Sequence, residues 1–253
     1  MKRFFIIGAQ KAGTSALHAY LTQHPQLLLS SKKELHFFDR DTINWEKPSY
    51  DQLKVEMSRA VRHSWGEATP IYMYWPNSIE RLRDYDPEAK LIVLLRHPVF
   101  RAHSHWRMEV FRNAETLSFS DAIREGRKRV KNTENQAHRI FSYVERGLYA
   151  EQIRRLLDNF PRHQIHIETT DRLWLEPKSA LCAIQTFLGV NEELQVDRKY
   201  IISASTDGLS TLSVEDFAYL MDIYTPNILS LEKVAGLSLK SWLAGDYVEA
   251  EKH

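Results

Sequence analysis

The chain has 253 residues, 43% hydrophobic and 26% charged, enough for one large or two small globular domains with a full core. With 34 basic against 33 acidic residues the formal net charge is +1, which gives no bulk attraction to nucleic acid or another polyanion. Cys182 is the only cysteine and no apolar run approaches a membrane span, so composition points to a cytoplasmic protein without disulfides or a membrane partner.

Met1-Lys2-Arg3 has the charge of a signal-peptide start, but the apolar run after it is too short. Phe4-Phe5-Ile6-Ile7 reads instead as a short buried strand. Gly8 and Gly13 bracket a loop, and Thr14-Ser15 open a helix carrying Leu17 and Leu21. Strand, glycine loop and helix in that order build a cradle for an anion, with N–H groups aimed at a phosphate. A triphosphate loop places Lys directly after the second Gly. Here Thr14 stands there and the lysine is displaced into the loop as Lys11.

Further on, Gln26 to Ser30 reads as a second strand, and residues 30–40 crowd Lys32, Lys33, Glu34, His36 and Asp39-Arg40 around three apolar residues. Residues 41–57 read as a long loop with one helical turn. Trp65 to Pro70 brings the chain back, and residues 71–76 are densely aromatic. Asn77 is expected to cap a helix over Ser78–Tyr85. The unbroken apolar run in Lys90-Leu91-Ile92-Val93-Leu94-Leu95-Arg96 predicts a strand covered on both faces of a parallel sheet. A helix is expected over residues 99–111, and the charged stretch 113–135 reads as a solvated face or mobile lid around one amphipathic helix near 119–125.

A helix from Gly147-Leu148-Tyr149, a strand at 164–168, and a helix at 179–188 ended by Gly189 follow. The tail holds two helical segments, 213–224 and 225–231. Strands alternating with helices, with no repeat or linker, predict one α/β domain over 1–253 with three layers and a central parallel sheet.

Three motifs occur in order: Gln10-Lys11-Ala12-Gly13-Thr14-Ser15, Lys33-Glu34-Leu35-His36-Phe37-Phe38-Asp39, and Leu94-Leu95-Arg96-His97-Pro98 with Arg101 and Ser104. Together they resemble the sulfotransferases that use 3′-phosphoadenosine 5′-phosphosulfate, most of all the heparan-sulfate-type branch with its bacterial relatives. Gly147-Leu148-Tyr149 and Phe187-Leu188-Gly189 are similar to later family segments, so the resemblance runs from residue 4 to about 190.

The resemblance implies that Lys11, Ala12, Gly13, Thr14, Ser15 and Ala16 hold the 5′-phosphosulfate. It implies that Arg96 and Ser104 hold the 3′-phosphate, which suits the planar fork of arginine. It makes Glu34 the general base that takes the acceptor's proton, with His36 as its orienting partner or as the base itself. Lys11 is then placed to stabilise charge developing on the leaving phosphate. Asp39, Thr69, Tyr72 and Trp75 are acceptor-side candidates, although aromatic residues equally fill cores. Arg198 and Lys199 match the later cofactor-covering loop loosely.

A nucleoside triphosphatase often places an Mg²⁺-binding aspartate where Arg96 stands, so no metal is expected; His24, His63, His103 and His105 show no ligand spacing. The competing readings are a kinase or triphosphatase with a drifted loop, and a nucleotide-binding scaffold without catalysis. Near-zero net charge and the aromatic segment lean towards a small or aromatic hydroxylated acceptor, with a glycan still open.

Overall fold

In the computed structural model, residues 2–57, 64–133, 135–192 and 211–250 are described. They fall into two compact units, one within 1–95, 156–202 and 250–253, the other within 96–155 and 203–249.

The first unit is a parallel α/β sheet. Its strands are β1 (Arg3–Gly8), β2 (Leu27–Leu29), β3 (Ser64–Ala68), β4 (Lys90–Leu95) and β5 (Ile165–Thr169), in the order β2-β3-β1-β4-β5. All four neighbouring pairs are parallel, with Phe5 opposite Glu67 and Leu91, and Val93 opposite Ile167. Every residue of β1 and β4 after the first is buried, as covered faces require. Helix α1 (Thr14–Thr22) packs on β1 and β2 through Leu17 and Leu21. Gly66 is needed in β3, since a Cβ there would stand 2.1 Å from Phe4 Cζ. Helix α2 (Asp51–Met57) is longer than the single turn expected, and α3 (Ser78–Tyr85) is where the sequence puts it. Asn77, however, caps nothing with its side chain and takes a left-handed φ of 62° instead.

In the second unit, α4 (Pro98–Phe111) packs against α5 (Phe119–Ile123) and against the turn Glu145–Gly147. The charged stretch is not a mobile lid throughout. It contains α5 and α6 (Arg127–Lys131), and buried Glu115 accepts from Arg129 (2.7 Å) and from the Tyr143 hydroxyl (3.0 Å). A carboxylate so paired and hydrogen-bonded ties the segment down. Helix α7 (Tyr149–Asn159) follows. In the first unit, α8 (Thr170–Leu175) and α9 (Pro177–Leu188) lie beside β5, and Gly189 ends α9 at a φ of 74°.

The tail departs from expectation. One helix, α10 (Val214–Ala235), continues through Pro226 where two segments were expected. Proline removes one helical hydrogen bond. The buried face of Leu220, Tyr224, Asn227, Ile228 and Leu231 carries the helix across it. Asn227 adds bonds to the Ala150 N–H (3.1 Å) and Glu151 (2.6 Å).

Candidate active site

The loop between β1 and α1 is shaped by two left-handed residues, Lys11 (φ 72°) and Gly13 (φ 90°). Glycine takes this conformation freely, whereas lysine does so at a cost of about 1–2 kcal/mol. A non-glycine residue persists in this conformation only where its surroundings hold it there. At Gly13 a Cβ would stand 3.3 Å from the Trp174 ring, so the loop also lies close to α8. The Thr170 hydroxyl lies 2.8 Å from Ala12 O and 3.1 Å from Leu95 O, tying the loop to the end of β4. Ala12, Thr14 and Ala16 are buried, while Lys11, Gly13 and Ser15 are half-buried. The N-cap residue of α1, Gly13, makes no side-chain cap to the first turn, and uncapped N–H groups at a helix start are the kind that bind an anion.

Glu34, His36 and Asp39 come together in the same unit. Glu34 (φ 63°) and His36 (φ 51°) are both left-handed, and the stretch is a tight loop. The His36 ring lies with Nδ1 2.9 Å from Asp39 Oδ2, and its Nε2 lies 3.6 Å from Glu34 Oε2. Lys33 pairs with the other Glu34 oxygen.

The electrostatics follow from these contacts. Burial pushes the Glu34 carboxyl up, but the hydrogen bond to His36 and the charge of Lys33 outweigh it and bring the pKa to about 2. Bonds to Asp39 and then Glu34 raise His36 to about 9 against the opposing effect of burial. At neutral pH the pair is carboxylate and imidazolium. His18 on α1 goes the other way, to about 4, because burial and then the Lys33 charge disfavour its proton.

The acceptor-side candidates brace this loop. Buried Thr69 accepts the His36 N–H (3.4 Å), and the buried Tyr72 hydroxyl accepts the N–H groups of Phe37 (2.9 Å) and Phe38 (3.5 Å). Trp75 is buried and donates to Asp41 (2.9 Å). Phe37 and Phe38 are buried and pack edge-on at 5.2 Å between ring centres.

In the second unit, Arg96 leaves the end of β4 and forms a bidentate pair with Glu249, both contacts being 2.5 Å. Its backbone carbonyl accepts the Tyr149 hydroxyl (2.9 Å). The guanidinium fork of Arg96 thus holds a planar oxyanion, the Glu249 carboxylate. Ser104 is half-buried on α4. Arg198 and Lys199 lie outside the described residues. Among the described residues no group of three or more His, Cys, Asp or Glu side chains is arranged for a metal ion.

Sequence reasoning missed Glu67, Thr170 and Glu249. Glu67 had a signal, an acid inside a short apolar strand flanked by Gly66 and Ala68. Thr170 and Glu249 had none, because each acts on a loop or side chain more than 150 residues away in the chain.

The family described as "Sulfotransferase domain" matches residues 1–222. Membrane-associated sulfotransferase kil1 of Dictyostelium discoideum is 27% identical over 76% of this chain and 56% of its own length. Heparan sulfate glucosamine 3-O-sulfotransferase 3B1 of Homo sapiens is 30% identical over 73% of this chain and 45% of its own. The chain thus spans about half the length of these curated relatives. A crystal structure of a sulfotransferase from Alicyclobacillus acidocaldarius is 28% identical with a TM-score of 0.79, covering 96% of this chain and 99% of that one.

Proposed function

The chain belongs to the sulfotransferase domain family, and on that premise we propose that it moves a sulfuryl group to a hydroxyl of a small-molecule or glycan acceptor. When bound, 3′-phosphoadenosine 5′-phosphosulfate would supply that group, leaving as adenosine 3′,5′-bisphosphate. The residues present fit it: a left-handed loop opening an uncapped helix for one phosphate, and an arginine fork with demonstrated oxyanion geometry for another. Lys11 and residues 12–16 would bind the 5′-phosphosulfate, and Arg96 with Ser104 the 3′-phosphate. Arg198 and Lys199 are kept as candidates for covering the cofactor.

One observation carries the assignment of roles. The His36 ring is held between two carboxylates and stays protonated up to about pH 9, so at neutral pH it has no lone pair for an acceptor proton. Glu34 is ionised there and takes the proton, while His36, fixed by Asp39, keeps Glu34 oriented. Lys33 and Lys11 supply positive charge, and Lys11 faces the charge that develops on the leaving side. Trp75 and the aromatic segment remain acceptor-side candidates. The single cysteine supports a cytoplasmic setting. Both units are read as parts of one catalytic domain.

The test is a Glu34→Gln variant. It is expected to lose roughly 100-fold or more in kcat while its affinity for adenosine 3′,5′-bisphosphate stays unchanged. Full turnover in that variant would rule out Glu34 as base.

A further inference from the structure

We infer that Glu67 is a positioning residue for the proton-accepting loop, its buried carboxylate holding residues 33–39 in the turn that presents Glu34 beside His36. The inference rests on the sulfuryl-transfer reading and deepens it.

Four successive peptide N–H groups of this loop find their acceptors on residues 67–72. Glu34 donates to Ala68 O (3.0 Å), Leu35 to Glu67 Oε1 (3.1 Å), His36 to Thr69 Oγ1 (3.4 Å) and Phe37 to the Tyr72 hydroxyl (2.9 Å). The Thr69 hydroxyl in turn donates to the same Oε1 of Glu67. One carboxylate oxygen therefore fixes Leu35 directly and His36 through a single hydroxyl. Of the four acceptors only Glu67 is a carboxyl group; burial raises its pKa to about 7 against the bonds from Thr69 and Leu35, and its oxygen accepts from both in either protonation state.

Leu35 lies between the two left-handed residues, so its N–H fixes the Glu34–Leu35 peptide plane while the His36 N–H fixes the next one. Left-handed non-glycine residues persist only where their surroundings over-determine them. Glu67 is 1% exposed, and its second oxygen has no hydrogen-bond partner among the described residues. All the hydrogen bonding of an expensively buried acid thus goes to this loop and its threonine brace. Glu67 makes no bond to the side chain of Glu34 or His36, so it acts through the backbone.

The experiment compares Glu67→Ala and Glu67→Gln by two readouts, His36 titration by NMR and turnover beside affinity for adenosine 3′,5′-bisphosphate. In Glu67→Ala the His36 midpoint is expected to fall from about 9 towards the ordinary imidazole value. In the same variant kcat should drop by about tenfold or more, as for a lost buried acceptor, with bisphosphate affinity unchanged. Glu67→Gln keeps an acceptor oxygen and should restore both. An unmoved His36 midpoint in Glu67→Ala, or a Gln variant as impaired as Ala, would overturn the inference. Should Glu67→Ala fail to fold, Thr69→Val breaks the His36 arm and must lower the same midpoint. Full activity in Glu34→Gln would instead sink the base assignment, and the His36 midpoint still reports the hold of Glu67 on the loop.

Discussion

As the proposed base, Glu34 would meet the acceptor's proton with little basicity of its own, because His36 and Lys33 outweigh its burial and hold its pKa near 2. That suits a proton that leaves late. Once the new S–O bond has formed, the bridging oxygen carries positive charge and gives its proton up readily, so an ionised, oriented carboxylate matters more than a strong base. In the free enzyme kcat/KM should hold steady through neutral pH and fall above about pH 9 as His36 loses its proton. A pH profile of kcat/KM checks this, and a decline centred near pH 6.5 would show that His36 is not held in its ion triad. Stability follows the same groups. The folded His36 pKa is raised, so its contribution is complete below about pH 6.5 and is lost as pH rises through about 9. The folded Glu34 pKa is lowered, so its contribution is present above about pH 4.5 and lost as pH falls towards 2. Urea unfolding of His36→Gln should lack the alkaline part of this decline.

At the level of elements, two loops and one tail do the positioning. The residues proposed to bear chemistry were legible as motifs, but the conformations that aim them were not. An extended segment also puts Glu34 and His36 on one side, and only the left-handed backbone at both positions distinguishes the real arrangement. Thr69 and Tyr72 were legible as neighbours of the site but not as its braces, since that role depends on N–H groups more than 30 residues earlier in the chain. The C-terminal stretch is similar. Glu249 occupies the fork of Arg96, so an anionic ligand must exchange with a carboxylate that is partly exposed. Removing that competitor in Glu249→Gln should tighten adenosine 3′,5′-bisphosphate by up to about fivefold, the size of a part-exposed ion pair. Calorimetric titration reads it, and weaker binding would mean that Glu249 supports the fork instead. On the other loop, Thr170→Val removes the hydroxyl beside Ala12 O and should weaken the same ligand by about fivefold to tenfold.

For the whole molecule, the parallel sheet was legible because β1 and β4 are apolar runs covered on both faces, a pattern antiparallel sheets rarely share. The strand order was not legible, because pairings such as Phe5 with Glu67 and Leu91 join segments far apart in the chain. Nor was the unbroken α10, where tertiary burial overrides a proline that reads as a stop. Among the described residues no helix is long and apolar enough to cross a membrane. The family match covers residues 1–222 and so includes the loop of the displaced Lys11, whose proposed role is to face a phosphosulfate and not a γ-phosphate. The most direct measurement follows sulfur-labelled 3′-phosphoadenosine 5′-phosphosulfate with a panel of hydroxylated acceptors, for the native chain and for Lys11→Ala. The account predicts labelled product and released bisphosphate from the native chain, and a loss of roughly 100-fold or more in Lys11→Ala. Equal turnover by the two proteins would contradict it.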